Sequence, residues 1–526
     1  MSKSFRQMGP REGEGGEEAV FSCPEQQPTH TMGSGEGGAA AAGAGYSPPT
    51  LGDAPLPPFA LERFFAQHEF SAPLLACCSD PTPLSMAALL ALADEEGRAL
   101  WAGLGLGYTD TAGLPQLRQE ISSMYESIGP DDVTVLAPEE GVYLTMRALL
   151  SHGDTVVVTY PGYQSLYAVA RSMGCDVKLW EPKPAGEEGE GGRGSERGTG
   201  GGGGGGGGVG GGGTGGSGGM DDGGGGTDAG GTGASGMDDG GGAGAGLRFD
   251  VADLVAMLEE GGGGPRVKAV IVNFPHNPTG FLPSAAEWGR LVDACRRHRC
   301  YLFSDEMYRG LELDPSARLP SAADAYERGV ALCGVSKTHG LPGLRIGWLA
   351  SRATLPGPAP TTAATSGNSS SSSSAITDSV TLQARVRELK DYTTICCSAP
   401  SEALALIGLR ASRVIVGGHL ATIAANADAF GAFVARFPRL LSWARPVAGS
   451  VAFPRLLAPV HVQAFCERCV VRCGVLLLPA SVYDHALSVA RGHFRVGLGR
   501  ANLPECLDAL GAWLASREED LLAGKL

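Results

Sequence analysis

The stretch Val267 to Phe274 is an apolar run broken only by Lys268 and Asn273, and it constrains the fold more than any other part of the chain. A strand apolar along nearly its whole length must be covered on both faces, the condition of a parallel sheet between layers of helices. Its surroundings repeat the theme. Thr134–Leu136 reads as a short strand, Gly141–Leu150 as a helix and Thr155–Tyr160 as a β-branched strand. Gln164–Met173 reads as a helix, Asp176–Trp180 as a strand and Val251–Leu258 as a helix. Ser284 with Glu287 forms a capping-box pattern opening a helix that runs to about His298, and Tyr301–Ser304 and Ala331–Val335 follow as strands. This alternation predicts an α/β fold with a mostly parallel sheet covered by helices on both faces. Ligands bind such sheets at the carboxyl ends of the strands. Tyr160, Asn277, Asp305 and Lys337 each fall just after a strand, so one edge of the sheet is expected to gather them.

Not all of the 526 residues fit a core. Residues 1–57 are rich in Gly, Pro, Ala and Glu, 185–246 are mostly glycine, and 355–376 end in a serine run. Such segments bury too little apolar area to offset chain entropy, and all three are expected to be disordered. Removing them leaves roughly 380 residues, enough for a two-domain subunit. The glycine tract reads as an expanded surface loop, because the candidate chemistry needs residues from both sides of it. The formal net charge of −15 argues against nucleic acid as a partner. No apolar stretch approaches the ~18 residues that span a bilayer, which argues against a membrane. The early glutamates Glu12, Glu14, Glu17 and Glu18 disfavour a transit peptide, and a cytoplasmic protein is expected. Thirteen cysteines without a secretion signal read as reduced thiols. Cys466, Cys469 and Cys473 have helical spacing, but no second Cys or His pair with zinc spacing follows, so they read as a buried helix face and no metal is expected.

Lys337 follows the apolar run Val330–Cys333 and precedes a glycine-rich turn, with Arg345 eight residues on. A lysine at a strand mouth in apolar surroundings is poised to lose its proton and form a Schiff base with an aldehyde. Ser336 and Arg345 offer a phosphate anchor. An aldehyde that also carries a phosphate is pyridoxal 5′-phosphate (PLP). Asp305 then gains a role: a carboxylate there can keep the pyridine nitrogen protonated, so that the ring accepts electrons from the substrate Cα. The Tyr308 phenol can hydrogen-bond the ring oxygen. Asn277-Pro278-Thr279-Gly280 is alone no more than a turn. Paired with a strand-end aspartate downstream, it reads as a rigidly held amide. Tyr163 can stack on the ring. The turn Ala137-Pro138-Glu139-Glu140-Gly141 leads from strand into helix, where free amides suit a phosphate.

These segments resemble the fold type I PLP enzymes, specifically the class I/II aminotransferases. The likeness is carried by Asn277–Gly280, Asp305-Glu306-Met307-Tyr308, Ser336-Lys337 through Arg345-Ile346-Gly347, Tyr108 through Arg118, and Phe494-Arg495-Val496-Gly497. It runs from about residue 58 to the end, apart from the two inserts. The resemblance implies a large PLP-binding domain over 85–354 and a smaller α+β domain built from 58–84 and 385–526, with 355–384 as insert and connection. It implies that Lys337 is the Schiff-base lysine and Asp305 the pyridinium partner, with Tyr308 and Asn277 on the ring oxygen. Ser336 and Arg345 are implied phosphate ligands, and Tyr163 the stacking aromatic. Arg495 is implied to grip the substrate α-carboxylate, and Tyr108 to reach the phosphate of a neighbouring subunit, hence a homodimer. Two departures stand out. Ala137, Pro138 and Glu139 replace the small residues usual in the phosphate turn, and proline removes an amide donor there. Ser79-Asp80-Pro81 stands where many relatives carry a glycine-rich segment.

The expected reaction is transamination between an α-amino acid and an α-keto acid. A lyase or cyclising reaction on the same scaffold uses the same residues and is the alternative. A catalytically dead scaffold is the third reading, disfavoured because every catalytic position holds the residue the chemistry needs.

Overall fold

The computed structural model describes residues 55–184, 246–260, 266–356, 379–483 and 492–526. The segments expected to be disordered lie largely outside these residues. Seven strands form the central sheet: β1 (Val133–Leu136), β2 (Thr155–Thr159), β3 (Asp176–Trp180), β4 (Val267–Asn273), β5 (Tyr301–Asp305), β6 (Gly329–Gly334) and β7 (Gly347–Ala350). Their order is β1-β7-β6-β5-β4-β2-β3. Every pairing from β6 to β3 is parallel, whereas β7 runs antiparallel to both β6 and β1. The sheet is therefore mostly parallel, with one reversed strand.

Alternation along β4 shows how both faces are buried. Ala269 and Ile271 point into one apolar cluster, and Val270 and Val272 into another on the opposite face. The first face is covered by α2 (Pro138–Leu149) and α3 (Ser165–Ser172), the second by α4 (Val251–Glu259) and α5 (Ala285–His298). Ser284 caps α5, its Oγ accepting from the Glu287 amide at 3.2 Å, while the Glu287 carboxylate accepts from the Ser284 amide at 2.7 Å.

The terminal parts of the chain meet in a smaller α+β layer. Leu74–Leu75 pairs in parallel with Val475–Leu476. Strand β8 (Phe494–Gly497) lies between Val451–Ala452 and Leu478–Pro479, both antiparallel. Helices α9 (Val462–Cys473) and α10 (Leu503–Leu522) close over it, with Phe465, Leu510 and Leu514 buried between them. Cys466 and Cys469 lie in the same apolar interior. At the start of the described chain, α1 (Ala60–His68) lies near the strand ends. Among the described residues no single helix is long and apolar enough to cross a membrane.

Two expected boundaries need correction. Residues 379–384, assigned to a disordered connection, are ordered: Val380–Thr381 pairs with Thr354–Leu355, and α6 (Leu382–Lys390) begins at once. Nor does the smaller domain begin at 385. Gln383, Arg387 and Lys390 all bond to β1 or to the residues just before it, with Lys390 Nζ donating to Val135 O at 2.8 Å. The next helix, α7 (Ala399–Arg410), packs Leu404, Leu406 and Ile407 against Val133, Val135 and Trp348. The hand-over to the smaller layer runs instead along α8 (Ser412–Ala435), whose Ile415 joins the sheet cluster while Phe430 and Phe433 join the interior shared with α10.

Candidate active site at the carboxyl edge of the sheet

A cavity of 700 Å³ opens where β4, β5 and β6 end, between the sheet, α1 and the smaller layer. Asp305 is the last residue of β5 and only 6% exposed. Its Oδ1 accepts from the Met307 amide at 3.1 Å. Burial, then the carboxylates of Glu139 and Glu306, push the Asp305 acid up to about 7, against the pull of the Met307 amide. The side chain of Asn273, the last residue of β4, ties the floor together. Its Nδ2 donates to Asp305 O at 3.0 Å and its Oδ1 accepts from the Asn277 amide at 2.8 Å. The turn that carries Asn277 is thus hung from the strand that precedes it.

Asn277 Oδ1 accepts from Arg495 Nη1 and from the Tyr483 hydroxyl, each at 3.1 Å. Arg495 is 1% exposed, donates Nε to Cys77 O at 3.0 Å, and faces no carboxylate partner among the described residues. It sits in β8, and Gly497 lets that strand approach the 77–78 backbone. A Cβ on Gly497 would lie 1.9 Å from Cys78 O, so no side chain fits there.

Lys337 Nζ donates to Ser79 Oγ at 2.9 Å. Burial lowers the Lys337 pKa, opposed by the Asp80 carboxylate. Burial likewise raises the Tyr308 phenol, with Arg495 and the Ser79 hydroxyl opposing. Ser336 is 4% exposed and its Oγ has no hydrogen-bond partner among the described residues. Arg345 adopts a left-handed backbone (φ 54°) at the end of a short 3-10 turn and is exposed to the cavity. Tyr163 lines the cavity with its ring tilted 54° to that of Phe59, centroids 5.2 Å apart.

Of the residues singled out from sequence, all but Tyr108, Ala137 and Tyr160 line this one cavity; Tyr160, expected at the same edge, is instead fully buried in the core beside the α3 residues Leu166 and Tyr167. Ala137 is the N-cap of α2, its amide donating to Glu140 Oε2 at 3.3 Å. Pro138 and Glu139 follow at the helix start. Burial raises the Glu139 carboxyl, with the Ser165 and Tyr163 hydroxyls opposing. Tyr108 is 89% exposed and does not line the cavity of its own chain. Sequence reasoning missed Tyr483, whose hydroxyl accepts from Arg495 Nη1 at 2.8 Å, and gave Ser79 no role. Tyr483 sits in no local motif, and Ser79 stood out only as part of a segment that departs from the family's usual glycine-rich one.

The donor set suits PLP. An orphaned buried hydroxyl beside an exposed arginine suits a phosphate, a buried carboxyl at a strand end suits a ring nitrogen, and a buried lysine suits an aldehyde. Pro138 and Glu139 suit a phosphate poorly, so Ser336 and Arg345 are the cavity residues that could hold it.

Residues 244–469 match the family described as aminotransferase class I and II. Capreomycidine synthase of Streptomyces vinaceus is 24% identical over 84% of this chain and 89% of its own length. An arginine–pyruvate transaminase of Pseudomonas aeruginosa is 26% identical over 47% of this chain and 49% of its own. Among solved structures, a PLP-dependent aminotransferase from Streptococcus suis superposes with a TM-score of 0.65 at 22% identity, covering 88% of this chain and 98% of that one. The PLP-dependent cyclase OrfR does so with 0.63 at 22%, covering 89% and 99%. These likenesses show the shared fold.

Proposed function

We propose that this chain, whose residues 244–469 match the class I and II aminotransferases, is a PLP-dependent enzyme that exchanges the amino group of an α-amino acid for the oxygen of an α-keto acid. The observation that carries this reading is the convergence of Lys337, Asp305 and the unpaired Arg495 on one cavity. PLP, when bound, supplies an electron sink for the bond broken at the substrate Cα. The protein supplies the rest. Arg495 Nη2 has no partner among the described residues and receives the substrate α-carboxylate, while Nε and Nη1 are fixed by Cys77 O, Asn277 and Tyr483. Lys337, its proton affinity lowered by burial, accepts and returns the Cα proton at Nζ. Asp305 would pair its carboxylate with the ring nitrogen, the Tyr308 hydroxyl would hydrogen-bond the ring oxygen, and Ser336 with Arg345 would hold the phosphate. Phe59 and Phe65 on the α1 side keep water from the reacting atoms.

A cyclising reaction is the second reading. It is supported by the reach of the likeness to capreomycidine synthase and by the cyclase among the structural neighbours. Holoprotein mixed with single amino acids separates the two. Conversion of the cofactor to its amine form, with one keto acid released per site, is expected for transamination. A cyclised product or free ammonia without a keto-acid acceptor would overturn it.

A further inference from the structure

Charge in the cavity does not balance once each group has its task. Arg500 is paired with Asp80 at 2.8 Å. Arg495 awaits an α-carboxylate, Arg345 a phosphate and Asp305 a ring nitrogen. Glu139 lies among the hydroxyls of Tyr163 and Ser165, with Arg345 opposing its charge. Two carboxylates remain, Glu62 and Glu69. Both line the cavity, and neither forms an ion pair among the described residues.

Their placement on α1 is specific. Glu62, Phe65 and Glu69 are spaced i, i+3 and i+7, so they share one face, and all three line the cavity. Phe65 sits over the substrate anchor, its ring centroid 6.0 Å from the Arg495 guanidinium carbon. The two carboxylates therefore lie about one helical turn, ~5.4 Å, to either side of the aromatic that covers the anchor. Glu69 is the C-cap of α1 and keeps helical backbone angles. A negative charge at a helix C-terminus is opposed by the helix dipole. Burial, then Asp80, then Glu62 raise its pKa, with Arg500 and Lys337 opposing in part. The two carboxylates repel one another, and Glu69 also faces the unfavourable end of the helix dipole, whereas Glu62 in the first turn is favoured by it; a cation between them relieves both the repulsion and the Glu69 penalty.

We propose that the site selects an amino acid whose side chain ends in a cation, an ammonium or a guanidinium, held by Glu62 and Glu69 while Arg495 holds the α-carboxylate. The inference rests on the transaminase or cyclase reading and adds the substrate class. The buried guanidinium of Arg495, without a carboxylate partner among the described residues, marks the same cavity as one that awaits an anionic ligand group.

The test titrates holoprotein with matched pairs, lysine against norleucine and arginine against citrulline, following cofactor absorbance. Half-conversion is expected at a concentration about fivefold or more lower for the cationic member of each pair, the scale of a partly solvated ion pair. In Glu62→Gln/Glu69→Gln that cation-to-neutral ratio should fall to about one, with the bound-cofactor chromophore retained as evidence of folding. Glu69→Arg should reverse the preference towards glutamate. Equal half-conversion within each pair, or a ratio unchanged in the double variant, would overturn the cation assignment and leave the reaction class standing. Silence towards every amino acid would overturn both.

Discussion

Burying the Lys337 ammonium is unfavourable, and its Nζ finds a neutral hydroxyl, Ser79 Oγ, at 2.9 Å rather than a carboxylate. That environment favours the free amine that the reaction needs. Lys337→Ala is expected to cut turnover by about a hundred- to ten-thousand-fold, the range for losing a positioned proton carrier. Circular dichroism should be unchanged, and retained turnover would remove the residue from its role. Asp305 carries the opposite tension. Its acid is raised from 3.8 to about 7 in the fold, so the native chain binds this proton more tightly than the unfolded chain. Stability without cofactor therefore falls as pH rises from about 4 to 7, and the penalty is complete above that window. Cofactor-free Asp305→Asn should have a higher urea midpoint than the parent protein at pH 8, and the gap should close towards pH 4. With cofactor the order should reverse, because the variant lacks the anion opposite the ring nitrogen. A midpoint difference independent of pH would contradict the buried-acid account.

At the scale of elements, the capping box of α5 is read directly from Ser284 and Glu287, because both partners are three residues apart. Ser284→Ala should cost about 1 kcal/mol in a urea titration and leave the half-reaction untouched, since α5 packs against the sheet away from the cavity. No loss of stability would mean that the cap is redundant. The central strands were equally legible, because β4 and β5 announce themselves as apolar runs and Asp305 and Lys337 follow from the strand-end rule. The smaller layer was not. Val451–Ala452 and Leu478–Pro479 are two residues long, too short for any period to show. Helix α7 is apolar on nearly every side, with residues 402–409 all buried, and such a run does not say which layer buries it, hence its misplacement in the smaller domain. Ser79 and Tyr483 reach the site from 258 residues before Lys337 and 206 residues after Asn277, so only folding reveals them. Nothing in the sequence sets Glu62 and Glu69 apart; their place is seen only once Phe65 of α1 lies over Arg495.

At the scale of the whole molecule, the cavity is completed by residues from both ends of the chain, yet Tyr108 does not line it. Tyr108 is 89% exposed, Leu106 87% and Tyr392 91%. Thr109 Oγ1 donates to Cys397 O at 3.3 Å, which brings the segments carrying Tyr108 and Tyr392 side by side. Large apolar side chains left open on adjoining segments suit a contact between copies of the chain. If Tyr108 serves the neighbouring cavity, the particle in sedimentation is a dimer of about twice 53.8 kDa, and each site draws Lys337 from one chain and Tyr108 from the other. Complementation tests this without perturbing the fold. Lys337→Ala and Tyr108→Ala homodimers each lack an intact site. Their hybrid carries one site with both defects and one with none. Equal mixing makes about half the particles hybrid, each with one good site of two, so about a quarter of the parent activity should return on subunit exchange. Activity that stays at the weighted mean of the two variants would mean that Tyr108 acts within its own chain or not at all.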